Sequence, residues 1–269
     1  WNVVDFAVMQ MGAIHLPLYP TLAEADLKYI LNDSGAKVVF DSHECFREDV
    51  VAKHWIPKPL RIPVGKIVGA IEDYVVARID KVIAATPHIE DAFSKTARSV
   101  VTINNYPMAN EFQEASTTPF ERRSAICYVG ALTFTRGLIP LLDSLSYVSP
   151  DVQLHIAGSF ASEAVAQAMR GHANWSRVVF HGQVGREEVA RIFEQSFAGM
   201  VTLLPVPNHL HSKPIKMFEY MSAGMPVICS HFPLWREVIE EGGCGLAVDP
   251  EDPHAIAAAI ERLRGDLHL

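Results

Sequence analysis

The sequence predicts a doubly wound α/β fold with Rossmann-like parallel sheets, and three observations carry that prediction. Short apolar runs alternate with helix-length stretches from residue 125 to the end. At least one run, Val227-Ile-Cys229, is apolar without a break, as suits a parallel strand covered on both faces. Glycine and proline sit between the runs, where turns are needed.

The elements follow in order. Residues 2–11 and 23–32 read as helices around a proline-containing loop, with Gly35 ending the second. A buried strand covers 38–40 and opens into Asp41-Ser-His-Glu44. Pro57, Pro59 and Pro63 predict an irregular surface arm, and 64–79 a long helix. A strand at 81–85, a helix at 87–96 and a strand at 100–103 come next. Residues 108–123 are polar and serve as the linker. Strand Ala125–Val129 then leads through a glycine loop to a helix at 137–148. Beyond it lie strand Gln153–Ala157, helix 162–170, strand 178–180, helix Arg186–Gln195 and strand 199–204. The chain closes with a helix from about 214, strand 227–229, helix 234–241, strand Gly245–Val248 and a last helix at 253–264 capped by Asp252.

Composition sets the limits. The 269 residues are 49% hydrophobic and 20% charged, enough for two modest packed lobes. A net charge of −8 argues against a broad nucleic-acid surface. Phosphate binding would have to use backbone dipoles and a few placed cations. Cys45, Cys127, Cys229 and Cys244 form no CxxC pair, and the histidines form no HExxH. Reduced thiols in a cytoplasmic protein are expected, without zinc. The apolar stretch 1–20 holds Asp5, Gln10 and His15, too short and polar to span a bilayer. No signal peptide is evident, and the start at Trp1 suits a segment of something longer.

Lys213–Glu241 is the most informative stretch. Ser212 is placed to cap a helix with Pro214 in its first turn, and Gly224 to end it left-handed. A helix N-terminus attracts anions. Lys216 and Glu219, three apart, share a face, and Met217, Tyr220 and Met221 take the other. A phosphate could meet Lys216 while a sugar diol meets Glu219; the alternative is a surface Lys–Glu pair. The loop Gly130-Ala-Leu-Thr-Phe-Thr-Arg136-Gly137 also follows a strand and opens a helix. Its glycines allow close approach and Arg136 can pair with phosphate, although such a loop can equally just turn the chain. His43, just past a strand end, is either structural or catalytic.

Taken together these stretches resemble a known family. "VVFDSHE", "ARIDKVIAATPHI", "INNYP", "ICYVGALTFTRGL", "LHIAGS", "VVFHGQVGREEVARIF" and the run from Ser212 to Ile260 are similar, in this order, to the retaining glycosyltransferases of family 4. The resemblance implies a GT-B fold of two facing Rossmann-like lobes. It implies a hexosyltransferase using a nucleotide-diphosphate sugar, with a sugar or lipid-linked acceptor, no metal cofactor and peripheral membrane contact. Glu219 would hold the ribose and Arg136 the diphosphate, with Gly130, Gly137 and Lys216 completing the donor site. His43, Arg136 and Lys216 are the catalytic candidates. Two departures stand out. Ala131 replaces a basic residue usual after the loop glycine, and His211 stands where an acid is frequent.

Residues 1–36 instead resemble the N-terminal domain of adenylate-forming acyl-CoA synthetases. No phosphate loop ending in Pro-Lys follows. The resulting division is 1–36 as that fragment, 37–115 as a truncated acceptor-side lobe, and 116–269 as the nucleotide-sugar lobe. The competing functions are a nucleotide-binding fragment without turnover, a sugar-nucleotide epimerase and an acyl-CoA ligase.

Overall fold

The computed structural model describes residues 39–53, 56–104, 106, 107, 112 and 118–266. The helices expected at 2–11 and 23–32 lie outside the described residues. So do most of the expected linker positions.

Two parallel sheets organise the chain. The smaller has the order β1-β2-β3, from β1 (Val39–Ser42), β2 (Lys81–Ala84) and β3 (Val100–Thr102). Helix α1 (Phe46–Ala52) follows β1, then α2 (Lys58–Val76), and α3 (Pro87–Phe93) follows β2. Its core is small: Val76, Val82, Ala84, Ala85, Ile89 and Phe93.

The proline-rich arm is a correction. Helix α2 begins at Lys58, six residues before the expected start, and runs through Pro63. Pro59 occupies the first turn, where a missing N–H costs nothing. Pro63 removes one internal hydrogen bond from a 19-residue helix, which tolerates the loss.

The larger sheet has the order β6-β5-β4-β7-β8-β9, all parallel. Its strands are β4 (Ala125–Val129), β5 (Gln153–Ala157), β6 (Val178–Gly182), β7 (Ser196–Val201), β8 (Val227–Ser230) and β9 (Gly245–Val248). The chain builds outward from β4 through β6, then returns to the other side at β7. The crevice at that reversal, beyond the C-terminal ends of β4 and β7, is where such sheets hold ligands.

Helices cover both faces. Leu138, Leu141 and Leu142 of α4 (Leu138–Ser144) pack with Val165 and Met169 of α5 (Glu163–Arg170) and Ile256 and Ile260 of α10 (Pro253–Asp266). On the opposite face, Val189, Ile192 and Phe193 of α6 (Arg186–Gln195) meet Met217 and Tyr220 of α8 (Ile215–Ser222). Trp235 and Ile239 of α9 (Pro233–Gly242) complete that layer. Strand β7 is fully buried, and its Gly199 is required: a Cβ there would lie 2.3 Å from the Tyr220 ring. Asp252 caps α10 as expected, accepting from the His254 N–H at 2.9 Å.

Candidate functional site

Loops after β4 and β7 build the crevice. Strand β4 ends at Gly130, whose φ of +142° favours glycine. Gly158, after β5, packs so tightly that a Cβ would fall 1.9 Å from the Gly130 carbonyl oxygen. The loop then makes a 3-10 turn, Phe134–Arg136, and Gly137 starts α4 with φ +69°. A Cβ on Gly137 would sit 1.7 Å from the Thr202 carbonyl oxygen, and the Leu204 N–H donates to the Thr135 carbonyl at 2.9 Å. The two loops are therefore locked together, which aims Arg136 into the cleft.

Helix α8 supplies the second half. It starts at Ile215 with Pro214 in the capping position, so Ser212 is not its cap. The Ser212 hydroxyl donates instead to the His209 carbonyl at 3.1 Å, because His209 belongs to a short helix, α7 (Pro207–Leu210), just upstream. Gly224 is left-handed as expected, with φ +67°. Met217 and Tyr220 face the sheet, fully buried. The Tyr220 hydroxyl accepts from the Val129 N–H at 3.0 Å, fixing the helix to the end of β4.

Lys216 and Glu219 are no surface pair: they are 8% and 6% exposed. The Lys216 ammonium donates to the Tyr128 hydroxyl at 2.9 Å and lies 4.0 Å from that ring's centre. The Tyr128 hydroxyl in turn donates to the Ala131 carbonyl at 2.9 Å. Burial pushes the Lys216 pKa well below the ordinary lysine value, the Arg136 cation pushes it further, and Glu219 opposes both. Glu219 Oε1 accepts from Arg186 at 2.8 Å, so no carboxylate bonds Lys216 directly. The Arg136 guanidinium makes no hydrogen bond or ion pair among the described residues. Two cations thus converge with no anion between them. Buried charge without a partner is costly, and the arrangement fits an anion supplied from outside.

A cleft of about 310 Å³ opens between the two sheets. Arg136, Ser212 and Pro214 line it from the larger sheet, and His43, Cys45, Glu48 and His88 from the smaller one. His43 is exposed, and its Nε2 lies 3.0 Å from Asp41 Oδ2. His211, at the position where an acid was expected, stacks on His88 with centroids 4.2 Å apart. Gly130, Gly137, Arg136, Lys216 and Glu219 gather at the crevice, and His43 reaches the facing wall.

Reading the sequence missed Arg186, Tyr128 and His88. Arg186 lies 33 residues from Glu219 and reaches it only through the fold. A signal was present: Arg186 follows Gly185 in the loop after β6, at the ligand-binding end of the sheet. Of the expected linker, Phe112 is buried against Phe193 with centroids 4.9 Å apart, and the Arg186 guanidinium lies over its ring.

Fold and crevice define a Rossmann-type parallel lobe faced by a smaller parallel unit. The signature of the family described as "Glycosyl transferases group 1" matches residues 123–266, and the chain belongs to that family. A second signature, "AMP-binding enzyme", matches residues 1–96 and runs past the junction expected near Lys37. Glycogen synthase of Mycobacterium tuberculosis is 24% identical over 208 residues, 74% of this chain and 49% of that protein. The chain therefore spans about half the length of that relative. A long-chain-fatty-acid–CoA ligase, FadD15 of Mycobacterium bovis, is 39% identical over 46 residues, 16% of this chain and 8% of the ligase. Among solved structures, Anabaena HepE in complex with UDP-glucose superposes with TM-score 0.66 at 17% identity, covering 91% of this chain and 67% of that one. The fold is GT-B-like. Among the described residues, no helix is long and apolar enough to cross a membrane.

Proposed function

We infer that the chain carries the donor site of a retaining glycosyltransferase, moving a hexosyl group from a nucleotide-diphosphate sugar to a sugar or lipid-linked acceptor. The observation that carries this reading is Lys216: a buried ammonium beside a second cation, Arg136, with only a neutral phenol to bond. A diphosphate between them would neutralise both and stabilise the charge that develops on the leaving group. Gly130 and Gly137 allow the backbone to approach it. Glu219 would take the ribose hydroxyls, sharing or exchanging its bond with Arg186. In the transfer, the bond from anomeric carbon to phosphate oxygen breaks and the acceptor oxygen takes its place. The acceptor proton passes to the departing diphosphate, so no metal and no dedicated base is needed. His43, on the facing wall, is placed to orient the acceptor. That a structural neighbour holds UDP-glucose supports the donor class.

Thermal shift with UDP, GDP, ADP and their sugars tests the reading. A nucleotide at one hundred times its Kd should stabilise the fold by about 2.7 kcal/mol. No shift with any of them would refute the donor site. Binding without sugar transfer or donor hydrolysis would instead indicate a nucleotide-binding module.

A further inference from the structure

We propose that Cys45, Glu48 and His88 form a zinc site on the wall of the cleft opposite the donor crevice. The proposal runs against the expectation from cysteine spacing and is independent of the donor site. Cys45 and His88 are 43 positions apart, so spacing could not reveal it. The topology brings them together. Strands β1 and β2 are parallel neighbours with Ser42 beside Ala84, and each feeds a helix within a few residues. Cys45 takes the capping position of α1, Glu48 lies in that helix's first turn, and His88 is in the first turn of α3.

The donor atoms of all three lie within 4.8 Å of one another. His88 Nε2 is 3.0 Å and 3.2 Å from the two Glu48 oxygens. Tetrahedral zinc with N, O and S ligands places its donors about 3.3–3.6 Å apart, from bond lengths of about 2.0–2.3 Å. The His88–Glu48 edge is close to that length already, and the thiol lies within 4.8 Å of both. Zinc would take the place of the hydrogen bond between His88 Nε2 and the Glu48 carboxylate, and the Cys45 thiol would release its proton to solvent. A thiolate, an imidazole and a carboxylate are among zinc's preferred donors, and all three residues line the cleft. The one unpaired cation on the cleft among the described residues, Arg136, lies on the wall of the larger sheet, and the charges that the smaller unit brings to the cleft are acidic or already paired. Glu44 and Asp49 also line the cleft wall, Lys53 is held by Asp49, and Arg47 is held by Glu72 and Asp73. Stacking on His211 fixes the His88 ring. The metal would tie the turn after β1 to the turn after β2 in a unit whose own core is small.

Cobalt(II) titration of the chelator-treated full chain tests this. The expected result is one Co2+ per chain, a thiolate-to-cobalt charge-transfer band in the near ultraviolet, and displacement by Zn2+. Cys45→Ser should abolish the band while keeping the circular dichroism spectrum. Should that variant misfold, His88→Gln, which leaves Cys45 in place, should weaken Co2+ binding about tenfold or more. Absence of the band, its persistence in Cys45→Ser, or unchanged affinity in His88→Gln would overturn the proposal.

Discussion

Replacing Lys216 with methionine should move stability and ligand binding in opposite directions. Lys216 is buried and its folded pKa lies well below the lysine value, with burial the main cause and Arg136 the second. Between the folded pKa and about 10.5 the unfolded chain binds more protons, so stability rises with pH across that window. Below the window the folded state carries the full penalty of a poorly partnered ammonium, about 1.4 kcal/mol for each unit of depression. Methionine removes that penalty at similar length. It loses one bond to Tyr128, worth about 1 kcal/mol, but the Tyr128 hydroxyl still donates to the Ala131 carbonyl, so no buried donor is orphaned. The ligand-free variant should therefore unfold at higher urea concentration than the parent. Binding should suffer, because a charge-assisted hydrogen bond to phosphate contributes about 1.5–3 kcal/mol, or roughly 12- to 160-fold in Kd. Calorimetry with UDP, GDP and ADP measures this. A variant that bound the nucleotide within about threefold of the parent, or that was less stable without ligand, would refute the reasoning.

Other substitutions report on separate parts of the molecule. Glu219→Ala should weaken nucleoside diphosphate binding about tenfold and become indifferent to a 2′,3′-dideoxyribose that the parent discriminates against; continued discrimination would remove Glu219 from the ribose. Gly137→Ala places a Cβ 1.7 Å from the Thr202 carbonyl oxygen at a φ of +69°, so urea denaturation should show a loss above about 3 kcal/mol. A loss below about 1 kcal/mol would mean the two crevice loops are not locked together. His155 has its pKa lowered to about 4, by burial first and then by His181. The unfolded chain takes up that proton first, so stability should fall from about pH 6.5 towards 4, by at most about 1.4 kcal/mol per unit, with a shallower fall in His155→Gln.

Much of the larger sheet was legible because its strands are defined by local pattern. Ala125–Val129, Gln153–Ala157, Arg186–Gln195 and Gly245–Val248 have the expected bounds. Buried parallel strands need apolar runs, and the turns beside them need glycine, so both signals are local. Boundaries failed where another element competed. Ser212 turned to His209 because α7 lies just before it, and Pro63 was absorbed by a helix long enough to lose one bond. Strand β7 begins at Ser196 and ends at Val201, displaced by three residues from expectation, because its pairing with β4 and β8 sets its ends.

The sequence by itself determined the alternation of strand and helix, the glycine loop after β4 and the shared face of Lys216 and Glu219. These depend on contacts within a few residues, where periodicity and backbone preference decide. Only the tertiary structure decided that this face is buried, that Arg186 holds Glu219, and that Tyr128 is the sole hydrogen-bond partner of the Lys216 ammonium among the described residues. It also decided that Cys45 and Glu48 meet His88. Desolvation and charge pairing depend on what surrounds a side chain from every element, and sheet order fixes those neighbours across tens of residues.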